Sequence, residues 1–396
     1  MKHDDVIVPG KTIGILGGGQ LGRMFAIAAR RMGYRVHALD PAPDCPTGQV
    51  ADVEWSAPYD DVPTALKFAQ AVDVVTFEFE NIPYETLQRV AEVVPVHPAP
   101  LVLDTTRHRL REKTFLQTHG FPTAPYRAVQ SLDDLKSALG QLGAHGTPCI
   151  LKTATFGYDG KGQTRIDTGA DSDVDAAVHS AWTHLSQPMG VLEGFVPFTL
   201  ELSVIVARTR KGAVSTFPVA ENHHVNHILD VTVVPAAVPE ATKRAAVDLA
   251  VSVAKSLDLV GVLAVELFWI HDGTEVGKLI VNELAPRPHN SGHFSLDACV
   301  TSQFEQQLRA VCGLPLGDVT LLRPVAMANL LGDLWAKGEP DWSAALAFPD
   351  VKLHLYGKSE ARAGRKMGHL VVMADDAATA RARVLAARAA LTASLR

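Results

Sequence analysis

The N-terminal part of the chain alternates between short apolar runs and helix-forming segments. We predict, in chain order, a strand at Ile13–Leu16, a helix at Leu21–Met32, a strand at Val36–Leu39, and further strands within residues 71–83 and 93–100. Strands that alternate with helices form a parallel sheet whose faces the helices cover. We therefore expect a Rossmann-like, parallel-sheet domain over residues 1–113.

A glycine-rich turn joins the first predicted strand to the first helix. Gly17, Gly19 and Gly22 have the spacing of the dinucleotide fingerprint, and Asp40 ends the next strand. In that fingerprint the glycines let the backbone approach a phosphate at a helix N-terminus, and the acid binds a ribose. An NAD(P)-dependent oxidoreductase is therefore one hypothesis. The same turn also serves other ligands, or tight packing of a helix on a strand.

The rest of the chain predicts two further units. Breakers at Gly-Phe-Pro and Ala-Pro open a small domain over residues 114–200. The larger domain covers residues 201–396. Strands dominate it up to about residue 296, with one predicted helix within 241–259, and residues 300–396 are mixed. A small β-rich subdomain begins at about residue 320 and ends in an Ala/Arg-rich helix. The fold class is thus α/β combined with α+β.

Charge and hydropathy exclude several classes of partner. The formal net charge is −6, which gives no general attraction to nucleic acid. No apolar run approaches the roughly 18 residues of a membrane span. The first residues lack a signal-peptide pattern, so we expect a cytoplasmic protein. The four cysteines are far apart and form no C-x-x-C pair, as expected of reduced thiols.

A second glycine-rich segment lies between two predicted strands, within residues 147–166. Lys152 ends the first of these strands, and the loop after it contains Gly157, Gly160 and Gly162. The spacing differs from that of a P-loop. It predicts a flexible hairpin that closes over phosphates above a fixed lysine. The alternative is a solvated turn with two incidental lysines.

Two acids flank a turn-rich segment, residues 271–278, that separates two apolar runs. If the runs form an antiparallel hairpin centred between Thr274 and Glu275, then Glu266 and Glu283 lie directly opposite each other. Two buried carboxylates so placed repel unless a cation lies between them, and hard oxygen ligands favour Mg²⁺. A β-bulge would shift this register. One acid facing solvent is the simpler alternative.

Four histidines allow a competing metal site. His289 and His293 are four residues apart, as are His223 and His227, and four such ligands could bind zinc. Proline and glycine around the first pair oppose a helix, and the second pair lies in a strand-like segment. Neither pair is therefore expected to converge on one ion.

Five strings taken together resemble a known family. They are GILGGGQLGRM, FEFENIP, GYDGKGQ, VNELAPRPHNSGH and GRKMGH, between residues 14 and 369. The chain resembles the 5-(carboxyamino)imidazole ribonucleotide synthases of the ATP-grasp superfamily. The resemblance implies an ATP-grasp fold with an N-terminal pre-ATP-grasp domain, usually as a homodimer. It also implies a ligase that uses ATP, Mg²⁺ and bicarbonate to carboxylate the exocyclic amine of 5-aminoimidazole ribonucleotide through carboxyphosphate, in purine biosynthesis.

The resemblance assigns nucleotide and metal contacts to particular positions. Arg109 and Lys152 would bind ATP phosphates, Glu201 the ribose, and His224 would lie near the nucleotide. Glu266 and Glu283 would bind Mg²⁺, with Asn282 beside them. The lid would comprise Gly157, Tyr158, Asp159, Gly160, Lys161, Gly162 and Gln163. The hinge whose backbone pairs with adenine would comprise Glu193, Gly194, Phe195 and Val196.

The resemblance also assigns the substrate contacts. Catalytic contacts to bicarbonate and carboxyphosphate would come from Arg287, His289, Asn290 and Lys161. Contacts to the aminoimidazole ribonucleotide would come from Gln20, Leu21, Glu78, Asp159, Lys358 and Arg365. The basic group around Lys358 could instead be a solvated surface.

Three positions depart from the family pattern. Phe156 and His227 stand where glycine is frequent, and Lys161 replaces the arginine of some members. Another ATP-grasp ligase, or a nucleotide-binding regulator without catalysis, stays open as an alternative.

Overall fold

The N-terminal sheet consists of four parallel strands in the order β3-β2-β1-β4. The structure is a computed structural model that describes residues 6–155, 157, 161–169, 173–185 and 187–393. The elements of this part are β1 (Thr12–Leu16), α1 (Gln20–Arg31), β2 (Arg35–Asp40), β3 (Val53–Ser56), α2 (Val62–Gln70), β4 (Val74–Phe77), α3 (Tyr84–Ala91), α4 (Pro100–Thr106) and α5 (Arg109–Thr118).

One predicted strand of this sheet is wrong. The run within residues 93–100 forms only a single parallel bridge, between Val75 and Val96. Its prolines at 95 and 98 lack the N–H that a strand ladder needs, so the pairing does not continue. The sheet therefore ends at β4, and helices α3 and α4 cover that side with an apolar cluster that includes Leu87 and Leu103.

A small antiparallel sheet follows, in the order β5-β8-β6-β7. Its elements are β5 (Tyr126–Val129), α6 (Leu132–Leu142), β6 (Cys149–Thr153), β7 (Gln163–Ile166), α7 (Val174–Leu185) and β8 (Gly190–Gly194). Helices α6 and α7 bury Leu135, Leu139 and Val178 against these strands. The predicted arrangement of a strand, a glycine loop and a strand corresponds to β6 and β7.

The largest sheet contains nine antiparallel strands, eight of them in the order β14-β13-β9-β11-β12-β15-β17-β16, while β10 pairs with β9. Its strands are β9 (Leu200–Arg208), β10 (Val214–Thr216), β11 (Ala220–Val225), β12 (Ile228–Val234), β13 (Gly261–Ile270), β14 (Lys278–Ala285), β15 (Val325–Leu331), β16 (Val351–Leu355) and β17 (Lys366–Met373). The helices that accompany it are α8 (Glu240–Ser256), α9 (Ser295–Ala298), α10 (Gln303–Val311), α11 (Trp342–Leu346) and α12 (Ala377–Ala390). The β-rich C-terminal strands thus extend the same sheet.

The two faces of this sheet have different roles. Helix α8 packs on one face, where Leu202, Val204 and Val265 join its alanines and valines in a core. On the other side, α10 contacts α1 of the N-terminal domain, because Phe304 and Leu308 share a core with α1 residues. Glu201, Ser203 and Glu266 alternate with the residues that face α8, so these polar side chains lie on the other face of the sheet. Within the ranges that the structure describes, no helix is long and apolar enough to cross a membrane.

Candidate active site

Glu266 and Glu283 are paired residues of the β13–β14 hairpin. The predicted opposition is confirmed, but the predicted loop centre is wrong by half a residue. Next to the loop, Ile270 pairs with Lys278, which centres the hairpin on Thr274. A β-bulge that contains Asn282 then shifts the register by one residue and brings Glu283 opposite Glu266.

The two carboxylates are partly buried and influence each other. Burial, and then the charge of Glu283, raise the pKa of Glu266 to about 7. His289 Nε2 lies 3.2 Å from Glu266 Oε1, and Arg109 Nη1 lies 3.5 Å from Glu283 Oε2. Paired carboxylates that repel and offer oxygen atoms are suitable ligands for a divalent cation. The residues thus fit Mg²⁺, with Asn282 beside them on the bulge.

Other polar residues occupy the same face of the large sheet. Ser203 pairs with Glu266, and Glu201, two residues earlier on β9, points to the same side. His224 Nδ1 lies 3.0 Å from Glu201 Oε2. Burial alone would lower the pKa of His224, but Glu201 more than offsets this and the pKa is raised. Glu201 and His224, which were predicted to contact the nucleotide, therefore lie on the sheet face that carries the carboxylate pair.

The zinc hypothesis is wrong. Among the described residues, no group of three or more His, Cys, Asp or Glu side chains is arranged to hold a metal ion. His223 is paired with Glu221 at 2.7 Å, and His293 is fully buried beside Phe304 and His369. These histidines have separate surroundings, because a strand and a turn direct them apart.

A buried group of charges lies where the small sheet meets α5. Lys152 Nζ and Lys113 Nζ lie 3.0 Å and 3.2 Å from the Glu193 carboxylate. Burial opposes ionisation of Glu193, but these lysines and Arg109 outweigh it and lower its pKa to about 2. The sequence analysis missed Lys113; its position one helical turn after Arg109 on α5 was the available signal. Arg109, Lys113 and Lys152 together form a cationic region suited to phosphates.

Glu193 is the first residue of the predicted adenine hinge, but its side chain forms ion pairs with Lys113 and Lys152. The backbone of the hinge is fixed by hydrogen bonds from Gly194 N to Pro125 O and from Phe195 N to Pro148 O, each 2.9 Å long. The carbonyl of Val196 accepts from Phe198 N. The predicted role for the backbone of residues 193–196 stays a proposal.

Part of the predicted lid can be located. Gln163 pairs with Lys152 across β6 and β7, Lys161 is exposed, and Gly162 has a φ of +72°. A Cβ at Gly162 would lie 2.6 Å from the Thr153 side chain, so this tight turn requires glycine. Gly157 lies beside Arg109. Phe156, Tyr158, Asp159 and Gly160 lie outside the described residues.

The departure at His227 leaves the local turn intact. Asn226 and His227 have φ values of +50° and +66°, so both adopt the left-handed conformation that glycine favours. The turn joins β11 to β12 as a hairpin, in which Val225 pairs with Ile228. Histidine replaces glycine here without loss of the turn.

The glycine-rich turn before α1 is occupied by the protein's own acids. Glu78 accepts hydrogen bonds from Gly19 N at 2.7 Å and Gly22 N at 3.4 Å. Asp40 accepts from Gly18 N at 2.7 Å and from the Tyr59 hydroxyl at 2.6 Å. Backbone donors that would hold a pyrophosphate are thus already bonded, which disfavours the dinucleotide hypothesis. Gln20 and buried Leu21 begin α1 beside this turn.

The stretch after β14 carries the predicted anion-binding residues. Arg287 Nη2 lies 2.7 Å from Glu80 Oε1, a partner that the sequence analysis missed although it stands two residues after Glu78. Asn290 is 6% exposed, and neither its Oδ1 nor its Nδ2 has a hydrogen-bond partner in the described part of the chain. Buried amides are normally satisfied, so the two polar atoms of Asn290 are available to a polar ligand.

Lys358 and Arg365 lie in the connection between β16 and β17. Lys358 Nζ donates to the Lys366 carbonyl at 2.7 Å, and Arg365 Nη1 donates to the Glu360 carbonyl at 2.8 Å. The charge of Lys366, to which no role was assigned from the sequence, partly opposes the rise in the pKa of Glu266. The start of β17 therefore lies near the carboxylate pair. Backbone carbonyls hold both predicted phosphate contacts.

Comparison with known proteins agrees with this arrangement. Residues 10–107 match the ribonucleotide synthetase preATP-grasp domain, residues 114–304 the ATP-grasp domain, and residues 325–383 the phosphoribosylaminoimidazole carboxylase C-terminal domain. The chain is 48% identical to N5-carboxyaminoimidazole ribonucleotide synthase of Bacillus subtilis, over 93% of each chain. The chain belongs to the N5-carboxyaminoimidazole ribonucleotide synthase family.

Solved structures of this family have the same fold. An N5-carboxyaminoimidazole ribonucleotide synthetase in complex with ADP has a TM-score of 0.89 and 45% identity, and the match covers 98% of each chain. The Aspergillus clavatus synthase in complex with ADP and 5-aminoimidazole ribonucleotide has a TM-score of 0.86 and 30% identity, over 96% of this chain and 98% of that one. The ATP-grasp fold with its N-terminal parallel sheet is thereby confirmed.

Proposed function

We propose that the protein is an ATP-dependent ligase that carboxylates the exocyclic amine of 5-aminoimidazole ribonucleotide. ATP and bicarbonate would form carboxyphosphate, and the products would be 5-(carboxyamino)imidazole ribonucleotide, ADP and phosphate. The observation that carries this proposal is the carboxylate pair of Glu266 and Glu283, which His289 Nε2 contacts at 3.2 Å from Glu266 Oε1. The next residue, Asn290, is buried, and its side-chain amide has no hydrogen-bond partner among the described residues. This arrangement supports a cation site followed closely by an anion site.

The proposed residues act mainly through position and charge. Phosphoryl transfer from ATP to bicarbonate joins two anions, so catalysis needs their alignment and charge neutralisation. Arg109 supplies positive charge beside Glu283, and Lys113 and Lys152 supply it beside Glu193. Arg287 offers a planar guanidinium that suits bicarbonate, and Asn290 offers a donor nitrogen and an acceptor oxygen. Glu80 holds Arg287 in place before the anion binds.

Glu266 and Glu283 would hold Mg²⁺. When bound, the ion would neutralise charge on the nucleotide phosphates, as in other phosphoryl transfer sites. The repulsion between the two carboxylates in its absence supports this assignment. Asn282 lies between them and the loop, on the bulge that sets their register.

Release of ADP tests the proposal directly. We expect ADP release to require 5-aminoimidazole ribonucleotide and to increase with bicarbonate concentration until it saturates. Another ATP-grasp ligase would instead respond to a different amine or acid, such as a glycinamide. Nucleotide binding without ribonucleotide-dependent turnover would indicate a regulator and contradict the proposal.

Homodimerisation and a cytoplasmic location are also proposed, from the family resemblance and the sequence. Light scattering on the purified protein tests the first proposal. A mass that corresponds to two chains of 42.5 kDa is expected. Fractionation of cells that contain the protein tests the second, since the protein should remain with the cytoplasmic fraction.

A further inference from the structure

A buried chain of hydrogen bonds leads from the large sheet to the ring of His289. Thr232 Oγ1 lies 2.9 Å from Asn222 Oδ1, and Asn222 Nδ2 lies 2.9 Å from Ser203 Oγ. Ser203 Oγ lies 2.8 Å from Ser291 Oγ, which in turn lies 2.9 Å from His289 Nδ1. The other four members of this hydrogen-bond chain are only 0–6% exposed. They therefore bond to one another and not to solvent.

One backbone amide sets the direction of the whole chain. The N–H of Ser291 points at His289 Nδ1 at 3.3 Å, where the imidazole caps a short 3-10 turn. A backbone N–H can only donate, so Nδ1 must present its lone pair. The Ser291 hydroxyl, with its single proton, therefore also donates to Nδ1. It must then accept from Ser203.

The remaining hydrogen bonds, from Ser203 to Thr232, have the same direction. The Ser203 hydroxyl donates its one hydrogen bond to Ser291, so its oxygen accepts from the Asn222 amide. The Asn222 oxygen then faces Thr232, whose hydroxyl donates to it. Each of these hydrogen bonds has a compatible donor and acceptor in this one direction, as buried polar groups require.

We propose that Thr232, Asn222, Ser203 and Ser291 are positioning residues that hold His289 in the tautomer with its proton on Nε2. Nε2 lies 3.2 Å from Glu266 Oε1, on the side of the carboxylate pair. His289 thus has one N–H, which it donates to Glu266 in the unliganded protein and can donate to an anion bound beside Glu266. A donor of fixed direction next to the carboxylate orients it, as outer partners do for metal ligands. The catalytic consequence rests on the proposed function.

The sheet explains why these residues can act together. Asn222 pairs with Thr232 on β12 and with Glu201 on β9, while Ser203 pairs with Glu266. The side chains of Thr232, Asn222, Ser203 and Glu266 therefore project from one face of the adjacent strands β12, β11, β9 and β13. Only Ser291 comes from outside the sheet, from the turn that follows His289.

A substitution that reverses the direction of the hydrogen bonds provides the test. Asn222→Asp replaces an amide with a carboxylate of the same shape that can only accept. Ser203 must then donate to the introduced carboxylate, so Ser291 donates to Ser203. Nδ1 loses its hydroxyl donor at 2.9 Å and keeps only the longer contact from the Ser291 N–H at 3.3 Å, so its lone pair is held less firmly. We expect kcat for ribonucleotide-dependent ADP release to fall roughly tenfold, with KM for ATP changed by less than about twofold. Asn329→Asp is the matched control, since Asn329 is equally buried on β15 and bonded to the Leu229 carbonyl.

Nuclear magnetic resonance of protein labelled with ¹⁵N-histidine reads the tautomer itself. The His289 signals are identified by their loss in His289→Gln. In the unliganded wild type the proton should reside on Nε2, and in Asn222→Asp the Nδ1–H form should increase, while Asn329→Asp leaves the ring unchanged. A wild-type proton on Nδ1 overturns the proposal, and so does an Asn222→Asp enzyme with unchanged tautomer and kcat.

A second variant covers the case in which Asn222→Asp does not fold. Thr232→Val removes the terminal donor without a new charge, and the Asn222 amide then has no preferred orientation. A mixture of tautomers and a smaller fall in kcat are expected, against Thr242→Val, which removes an equally buried hydroxyl of α8. The wild-type spectrum needs no turnover. Failure of the proposed reaction and failure of the tautomer assignment are therefore separate results.

Discussion

Among the individual residues, two negatively charged side chains lie opposite each other, where a bound cation would offset their repulsion. Glu266 and Glu283 face each other, and burial together with this repulsion raises the pKa of Glu266. Asn290 is buried, and its amide has no hydrogen-bond partner within the part of the chain that the structure describes. Such groups destabilise the unliganded protein, and bound ligands would recover that free energy. Individual substitutions can therefore separate binding from folding.

Glu283→Gln should separate the two effects clearly. The change removes one metal ligand, so ribonucleotide-dependent ADP release should fall roughly a hundredfold or more at saturating Mg²⁺. It also removes the repulsion with Glu266, so the unfolding temperature without metal should stay the same or rise. ADP release and thermal unfolding of the same samples measure both. Glu275→Gln is the control, since Glu275 is exposed in the loop of the same hairpin. Near-normal turnover of Glu283→Gln would contradict the metal assignment.

Glu193→Gln tests the buried ion cluster through pH. The pKa of Glu193 is lowered from 4.5 to about 2 in the folded protein, because Lys152 and Lys113 outweigh burial. Ionised Glu193 therefore stabilises the folded state above pH 4.5, and this contribution disappears as pH falls toward 2. The variant should lose about 3 kcal/mol of unfolding free energy at neutral pH. The difference from wild type should shrink across that acidic range, as measured by urea unfolding at several pH values.

An exposed ion pair provides the comparison for this experiment. The Arg89 and Glu92 side chains are 55% and 59% exposed, so Glu92→Gln should change the unfolding free energy by less than about 0.5 kcal/mol at every pH. A Glu193→Gln difference that stayed constant down to pH 2 would show that its charge contributes nothing to stability.

At the scale of single elements, the sequence was informative where periodicity and spacing are local. The opposition of Glu266 and Glu283 was predictable, because a hairpin pairs residues at equal distances from its centre. The bulge at Asn282 was not, since nothing in the composition of β14 distinguishes the residue that bulges. The error of half a residue in the loop centre and the one-residue shift at the bulge compensated for each other. The hairpin prediction was therefore right about the pair and wrong about the centre.

Contacts between elements were harder to predict. Lys113 reaches Glu193 from a separate helix, and Arg287 reaches Glu80 from a strand end far along the chain. Their sequence separations carry no periodic signal. The glycine fingerprint was misleading for the same reason: Glu78 fills the turn from β4, a different strand of the sheet. Local pattern thus indicated an anion site, whereas tertiary structure supplied a carboxylate.

The connection between β16 and β17 provides an element-level prediction. Lys358→Ala should raise KM for the aminoimidazole ribonucleotide about tenfold while KM for ATP changes little, because one phosphate contact would be lost. Steady-state kinetics with each substrate varied in turn measure both constants. Lys352→Ala is the matched control, since Lys352 is an exposed lysine of β16. Equal increases in both KM values would reject the role of a phosphate contact.

At the scale of the whole molecule, three sheets surround the site. The small sheet supplies Lys152 and Glu193, the large sheet supplies Glu266 and Glu283, and the N-terminal domain supplies Glu80. Direct contacts connect the outer parts: the Gln49 side chain donates to the Gly357 carbonyl at 2.9 Å, and Gln307 donates to Thr76 at 2.9 Å. A nucleotide bound between the sheets should therefore stabilise the whole molecule.

Ligand-dependent unfolding tests which nucleotide the molecule accepts. A ligand at a hundred times its Kd adds about 2.7 kcal/mol to stability, so MgATP should raise the unfolding temperature by roughly 2 °C or more. NADH should cause no rise, because Glu78 and Asp40 already hold the amides of the glycine-rich turn. Thermal unfolding with MgATP, with ATP plus a chelator, and with NADH makes the comparison. Glu283→Gln should show a smaller MgATP shift from an unaltered baseline. A rise with NADH equal to that with MgATP would restore the dinucleotide hypothesis, since it would mean that the ligand can displace both acids.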